Sequence, residues 1–568
     1  MWIDVPPFLP FFLGALLVAL APRGWARSAL LLGIPILGGL NLIGANPGSH
    51  MEVEVFHYTL TPFQVGTFSL LFGYIFHIAA FIGNLFALHL KRGDDDTLQH
   101  AAALLYAGSA LGAVFAGDFI TLFVFWELLS VTSVFLIWAR RTDRSARAGF
   151  RYLIIQVLSG LLLLAGALIR AHETGSIAFG YVGLEGLGAW LIFLSFGIKA
   201  AFPLLHNWLT DAYPEGTPTG TVFLSSFTTK VAIYALAVAF PGTEMLIYIG
   251  AVMTVFPIFF AVIENDLRRV LGYSLINQLG FMVTGIGIGT ALALNGAVAH
   301  AFSHIIYKSL LFMGMGAVLH QTGRIKGSDL GGLYKSMPIT AALTTVGAAS
   351  ISAFPLFSGF VSKSMVMAAL LEGEHYMVWP VLLFASAGVF HHAGIKIPFF
   401  AFFAHDSGIR TKEPPWNMLL AMGLGALLCV GIGVYPWPLY SLLPFPVGDF
   451  TPYDLTHVLT QTQLLFFGAL AFVGLQKTGI YPPELRSVNI DAEWTYRWFI
   501  PRVIRGLVPV VSYLNGAVRA VALGAVFGIK AGTSRIYGPT GLARHWPTGS
   551  MVIWVTVMLA AYLIVYLL

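Results

Sequence analysis

Apolar runs of about twenty residues, the length that spans a bilayer, recur from one end of this 568-residue chain to the other. In lipid every backbone polar group must find an internal partner, so such a chain folds as a bundle of membrane helices or not at all. The runs number roughly sixteen by that criterion. They lie near 7–22, 28–45, 63–90, 100–116, 118–139, 151–170, 187–209, 218–240, 244–263, 269–290, 294–319, 337–370, 377–403, 416–435, 459–476 and 550–568. Charged residues make up only 10% of the chain, against about 25% in a soluble domain. The expected fold class is therefore all-α, a polytopic membrane protein. The first run lacks a preceding basic region and a cleavage site and reads as a span rather than a signal peptide.

Charge placement tests the count. Loops after odd-numbered runs are basic: Arg23 and Arg27; Lys91 and Arg92; Arg140, Arg141, Arg144 and Arg147; Arg268 and Arg269; Arg324, Lys326 and Lys335; Arg410 and Lys412. Loops after even-numbered runs lean acidic: Glu52 and Glu54; Glu173 and Glu185; Glu244; Glu372 and Glu374; Asp449 and Asp454. The positive-inside rule puts the first set in the cytoplasm and the N-terminus outside. Beyond the fifteenth run, Arg486, Arg497, Arg502, Arg505, Arg519, Lys530, Arg535 and Arg544 alternate with Trp494, Trp498, Phe499 and Leu507. That pattern predicts an amphipathic segment lying along the membrane or along neighbouring helices, followed by a final span.

Ionisable residues inside apolar runs are expensive and mark ion pathways. Glu127, in Phe-Trp126-Glu127-Leu, falls near the middle of its run. Lys199 sits four residues before Pro203, which breaks its helix. Lys230 follows Ser225-Ser226-Phe-Thr-Thr. His300, His304 and Lys308 are spaced by four and share one helical face. Lys363 closes a run interrupted at Pro355, and Lys396 lies nearer the cytoplasmic end of its run. Bland readings exist for each: a lysine can snorkel to the interface, and two histidines four apart can be core residues or zinc ligands. Glu127 at mid-bilayer needs a basic partner. Taken together, these residues read as a chain of proton sites.

The two proline-broken spans are the seventh and the twelfth, each with a lysine at its break, as in transporters built from inverted repeats. The expected division is residues 1–99, N-terminal helices; 100–243 and 244–403, two inverted five-helix units; 404–476, further core helices; 477–549, the amphipathic segment; and 550–568, the last span.

In order, Phe-Trp-Glu127-Leu, Lys199-Ala-Ala-x-Pro-Leu-x-His206-x-Trp-Leu-x-Asp211, Lys230, Asp266-x-Arg-Arg-Val-Leu-x-Tyr-Ser, His300-x-x-x-His304-x-x-x-Lys308 and Gly-Phe-x-Ser-Lys363 resemble the antiporter-like family. That family is shared by Mrp-type cation/proton antiporters and the proton-pumping arm of respiratory complex I. The resemblance implies a Glu–Lys pair at Glu127 and Lys199, a connecting lysine at Lys308 and a terminal lysine at Lys363, with His206, Lys230, His300, His304 and Lys396 as further proton-translocation residues. It also implies a multi-subunit complex in a bacterial inner membrane, with other membrane subunits as partners and protons and Na+ as the transported ions. The stretches around Lys396 and Asp491 resemble the D-type subunit of Mrp antiporters. The longer C-terminal extension leaves open a redox-driven pump of the complex I or hydrogenase-linked kind, or an inorganic-carbon uptake complex. Gene neighbours would separate these. The single cysteine, Cys429, excludes an intramolecular disulfide and a cysteine-rich metal or iron–sulfur site. No Gly-rich phosphate loop follows a strand pattern, so no cofactor and no nucleic-acid partner are expected.

Overall fold

The computed structural model describes residues 5–56, 58–90, 94–482, 484–485, 489–538, 541 and 548–567. Lys91, Arg92, Arg486 and Arg544, counted above in the charge pattern, lie outside the described residues. The chain divides into two compact units, Met1–Asn489 and Ile490–Leu568.

The first unit begins with α1 (Leu9–Leu20), α2 (Trp25–Asn41), a hairpin of β1 (Gly48–Val55) and β2 (Tyr58–Val65), α3 (Ser69–Ala87) and α4 (Asp94–Val114). It continues through α5 (Phe119–Trp138), α6 (Asp143–Thr174), α7 (Gly186–Lys199), α8 (Asn207–Ala212), α9 (Gly220–Ser226), α10 (Thr228–Ala239) and α11 (Glu244–Ile263). Next come α12 (Leu267–Ile288), α13 (Ala291–Thr322), α14 (Pro338–Ile351), α15 (Ser358–Glu372) and α16 (Trp379–Val389). The π-helical segments Phe390–Ile395 and Phe399–Phe403 flank a short α17 (Lys396–Pro398), and α18 (Trp416–Val434), α19 (Trp437–Tyr440) and α20 (Leu455–Thr478) close the unit. The second unit holds α21 (Ile500–Tyr537) and α22 (Thr548–Leu567).

Among the described residues twelve helices are long and apolar enough to cross a membrane, fewer than the sixteen runs. Three more apolar helices are shorter, and two of these, α7 and α14, are the ones that stop at the proline breaks. The hairpin was not foreseen. It pairs Gly48 with Val65 and Val55 with Tyr58 in antiparallel register, and residues 63–65 of the expected third span belong to it. Its second strand is anchored to the start of α5: Thr61 N donates to Asp118 Oδ2 at 2.7 Å, and Gly117 N donates to Thr61 O at 2.9 Å. The 38-residue α21 is about 57 Å long at 1.5 Å per residue, nearly twice the hydrocarbon thickness of about 30 Å. Such a length suits a helix running along a membrane better than one crossing it.

The two halves repeat one construction. Asp118 caps α5 by accepting from Thr121 N at 2.7 Å, and Asp266 caps α12 by accepting from Arg268 N at 2.9 Å. Each capped end is stitched to the chain leaving the next long helix: Phe119 N donates to Ile177 O, and Leu267 N donates to Ile325 O. Those long helices, α6 and α13, are both 32 residues and both end on Thr-Gly. Gly175 (φ 70°) and Gly323 (φ 67°) take the left-handed turn that ends a helix cheaply only at glycine. Thr174 and Thr322 hydroxyls donate back to the carbonyls of Arg170 and Val318.

Then comes the same tetrapeptide, Ala-Phe-Pro-Leu, at 201–204 and 353–356. Its alanine and leucine have positive φ in both copies: 61° and 69° in the first, 57° and 71° in the second. Between the two capping aspartates lie five helical stretches, α5, α6, α7, the α9–α10 pair and α11, an odd number, as two inverted units require.

Ion pairs gather on the side of the basic loops. Arg151 grips Asp211 with two bonds of 2.8 and 3.0 Å, and Arg140 and Arg144 both reach Glu215, at 3.2 and 2.7 Å. The buried Arg268 donates to the carbonyls of Pro214, Gly216 and Thr217 and to the Thr221 hydroxyl. This clamp fixes the turn between α8 and α9, and with it the start of the helix pair that carries Lys230.

Candidate functional site: a line of buried ionisable groups

The breaks decide where the lysines sit. Lys199 is the last residue of α7, so its side chain leaves a helix end rather than a helix face. It is fully buried and donates to Trp126 O at 3.1 Å and Ser130 Oγ at 2.7 Å on α5. Glu127 follows Trp126 on that helix, within electrostatic reach of Lys199. Its Oε1 is buried and accepts no hydrogen bond. Room for this carboxylate comes from α6: a methyl group added at Gly160 would sit 1.5 Å from Oε1. Gly160→Ala must therefore push the carboxylate aside while removing no ionisable group. We expect it to lower proton flux roughly tenfold, equivalent to about 1.4 kcal/mol, with normal assembly. Flux and subunit recovery in the same vesicles check this, and unchanged flux would mean the position of Glu127 is not critical.

Lys308, fully buried on α13, repeats the arrangement of Lys199. It donates to Ser274 Oγ at 2.9 Å and Leu271 O at 3.5 Å on α12. In each half a lysine thus leans on a carbonyl and a serine of the aspartate-capped helix. Lys230, also fully buried, lies just beyond the α9–α10 break and donates to Ser225 O at 2.5 Å. The next residue, Ser226, hydrogen bonds Ser309 at 3.0 Å, joining this break to the neighbour of Lys308.

The histidines continue the line. His300 Nε2 meets Gln278 Oε1 at 3.2 Å and Tyr307 OH at 3.3 Å, while Nδ1 meets Ser362 Oγ at 3.0 Å. The Ser362 hydroxyl has a second acceptor in Ser358 O at 3.1 Å. Turned to His300, that hydroxyl leaves the ring neutral. Turned to Ser358, it lets Nδ1 carry a proton and donate. His300 can therefore hold one proton or two with its partners satisfied in both states. His304 stacks 6.3 Å from His300 with both ring nitrogens buried and unpartnered.

Lys363 follows Ser362 and is 2% exposed. Its Nζ lies 3.3 Å from Ile351 O and 3.4 Å from Ser386 Oγ, and 4.9 Å from the centre of the Phe281 ring, which itself packs against His300. The structure thus brings Glu127 to Lys199, Lys230 to the neighbourhood of Lys308, and His300 to Lys363.

Two residues stand differently. His206 precedes the short α8 on the far side of the first break, makes no capping hydrogen bond with its side chain, and packs on Phe256. Lys396 donates to the carbonyls of Ala261, Val262 and Glu264 at 3.2, 2.6 and 2.7 Å, where α11 ends, and pairs with Glu484 at 2.9 Å. All its donors are committed to holding α11, the π-helical segment and the following chain together. Removing one partner of a buried ion pair costs about 3–5 kcal/mol. Lys396→Ala is therefore expected to lower the melting temperature of the purified protein by several degrees, which thermal unfolding followed by fluorescence measures. An unchanged melting point would contradict a bracing role.

Sequence reasoning missed the hydroxyl and amide partners Ser130, Ser274, Gln278 and Ser362, because small polar residues are common in membrane helices and carry no spacing signal. It also missed His392, buried in the π-helical segment within reach of the charges of Lys308 and Lys396. The His391-His392 doublet before Lys396 was its only trace.

Residues 116–390 match the family described as NADH:quinone oxidoreductase/Mrp antiporter, TM. The D-type subunit of the Na(+)/H(+) antiporter of Alkalihalophilus pseudofirmus is 28% identical over 413 residues, covering 67% of this chain and 82% of that protein. The probable A/B-type subunit of the K(+)/H(+) antiporter of Rhizobium meliloti is 32% identical over 62% of this chain. This chain spans only 38% of that relative's length. A chain of the membrane-bound sulfane sulfur reductase, an archaeal respiratory membrane complex, shares the fold with a TM-score of 0.71 at 21% identity, over 98% of this chain and all of that one. With broken helices and buried lysines at the positions those motifs predict, the chain resembles the antiporter-like membrane subunits of the NADH:quinone oxidoreductase/Mrp antiporter family over residues 116–390.

Proposed function

We propose that the chain is a proton-translocating subunit of a multi-subunit complex in a bacterial inner membrane, exchanging protons for Na+ in the manner of a D-type Mrp subunit. The observation that carries this reading is the buried succession Glu127–Lys199, Lys230, Lys308, His304–His300 and Lys363, whose members hold protons in a region where charge has no other use. Glu127 sets the cost of charging Lys199, an interaction of several kcal/mol at low effective dielectric and less after relaxation. Hydroxyls and short water bridges carry protons between sites. Lys396 and His206 belong to the scaffold in this reading.

The test is proton flux in vesicles holding the native complex, driven by an imposed Na+ gradient. Acidification that follows Na+ supports exchange, and none with any monovalent cation rejects it. A second reading, a non-redox pump subunit of a respiratory or hydrogenase-linked complex, draws on the fold match that extends through the C-terminal unit. Co-purification of iron–sulfur subunits with the chain would favour it.

A further inference from the structure

A cleft with room for about 80 Å3 of water opens between α15, α16 and α20, and the buried Lys363 stands in its wall. Trp379 and Leu383 line one side, Thr460 and Gln461 another. Its floor is the broken end of α14: Ala353 lines it, and Gln461 Nε2 donates to Ser352 O at 2.9 Å. Ser386, which accepts from Lys363, also lines the cleft. At the rim stands His457, a residue the path described above does not use. It is in the first turn of α20, with Nδ1 at 3.1 Å from Oδ2 of Asp454, the residue that caps that helix. Asp454 is 44% exposed and His457 21% exposed. The loops at this end, residues 371–378 and 436–458, carry no lysine or arginine, so the positive-inside rule puts the rim on the outside.

We propose that this cleft is the outer mouth of the proton path and that His457, held by Asp454, is its last proton-exchanging residue. A proton leaving the Lys363 ammonium passes through water in the cleft to His457 Nε2. Asp454 holds the resulting imidazolium at Nδ1, and the Nε2 proton goes to the outer solution, restoring the neutral ring. Inward movement runs the same steps in reverse. His457 collects and delivers protons for Lys363, whose site stays buried. The proposal rests on the proton-translocation reading, but its access half can be tested without any flux.

The experiment uses the full chain in its native complex, in right-side-out vesicles. Cys429 is fully buried, so single cysteines can be introduced over a silent background. Thr460→Cys, in the cleft, should react with a membrane-impermeant charged thiol reagent added outside. Leu459→Cys, beside it on the helix and 50% exposed but absent from the cleft wall, should not, because a thiol in lipid neither ionises nor meets the reagent. Failure of Thr460→Cys to react from outside, or equal reaction at both positions, overturns the mouth.

The second arm is flux in His457→Gln at fixed pH and low buffer. We expect a three- to tenfold loss that added imidazole restores, because a free imidazole can do what the missing ring did. Asp454→Asn keeps the helix cap and should show a smaller loss of the same kind. Loss without imidazole rescue, or full activity in His457→Gln, overturns the role of His457. Wild-type vesicles without flux reject the proposed function instead, and the labelling result still reads access to the cleft.

Discussion

Lys308→Ala is expected to reduce proton flux at least about a hundredfold, corresponding to roughly 2.7 kcal/mol on the barrier, while the complex assembles normally. Lys308 is buried between Ser274 and the Ser226–Ser309 junction. Without it the proposed path loses the titratable group that leans on Ser274. Lys308→Arg should fail as completely, because a guanidinium keeps its proton at working pH. Lys308→His should retain part of the flux, because imidazole both takes and releases a proton. A structural lysine gives the reverse order, with arginine active and histidine inactive. Flux in the three variants decides, and a fully active arginine variant ends the relay.

The second large effect is expected at Glu127. Glu127→Ala should abolish flux or leave only a few per cent, with the protein still folded, since the carboxylate accepts no bond at Oε1 that the fold depends on. With Glu127 gone, the charge on Lys199 no longer answers to a neighbour and the first step loses its control. Glu127→Asp should be milder, because charge is kept and only reach is shortened. Combining Glu127→Asp with Gly160→Ala probes the geometry further, since contacting residues couple non-additively. Wild-type flux in Glu127→Ala would remove the pair from the mechanism.

Much of this site was legible in the sequence for one physical reason. A lysine or glutamate inside an apolar run has few excuses, so Glu127, Lys199, Lys230, Lys308 and Lys363 stand out without an alignment. The proline breaks were legible too, because Pro203 and Pro355 each end a helix. Depth along a run, however, says nothing about partners. Lys396 and Lys363 look alike as letters. One is fixed by three carbonyls and Glu484, and the other faces a cleft. The distinction rests on contacts as far away as Glu484 and Gln461, which no local pattern encodes. The hairpin was lost for another reason: His50 to Val65 mixes charged, aromatic and β-branched residues on an exposed surface, where strand alternation is weak. Counting spans by length also blurred at α7 and α14, because a broken helix is short even when the chain still crosses.

The paired Ala-Phe-Pro-Leu breaks have a consequence on the scale of the membrane potential. An L-residue held in the left-handed region costs about 1–2 kcal/mol, and each break holds two of them, Ala201 with Leu204 and Ala353 with Leu356. One elementary charge moving through 100 mV releases about 2.3 kcal/mol. A single passing proton thus carries enough work to flip one such residue but not to unfold a helix. The strain held at each break is of the same size as the work of one charge crossing the membrane potential.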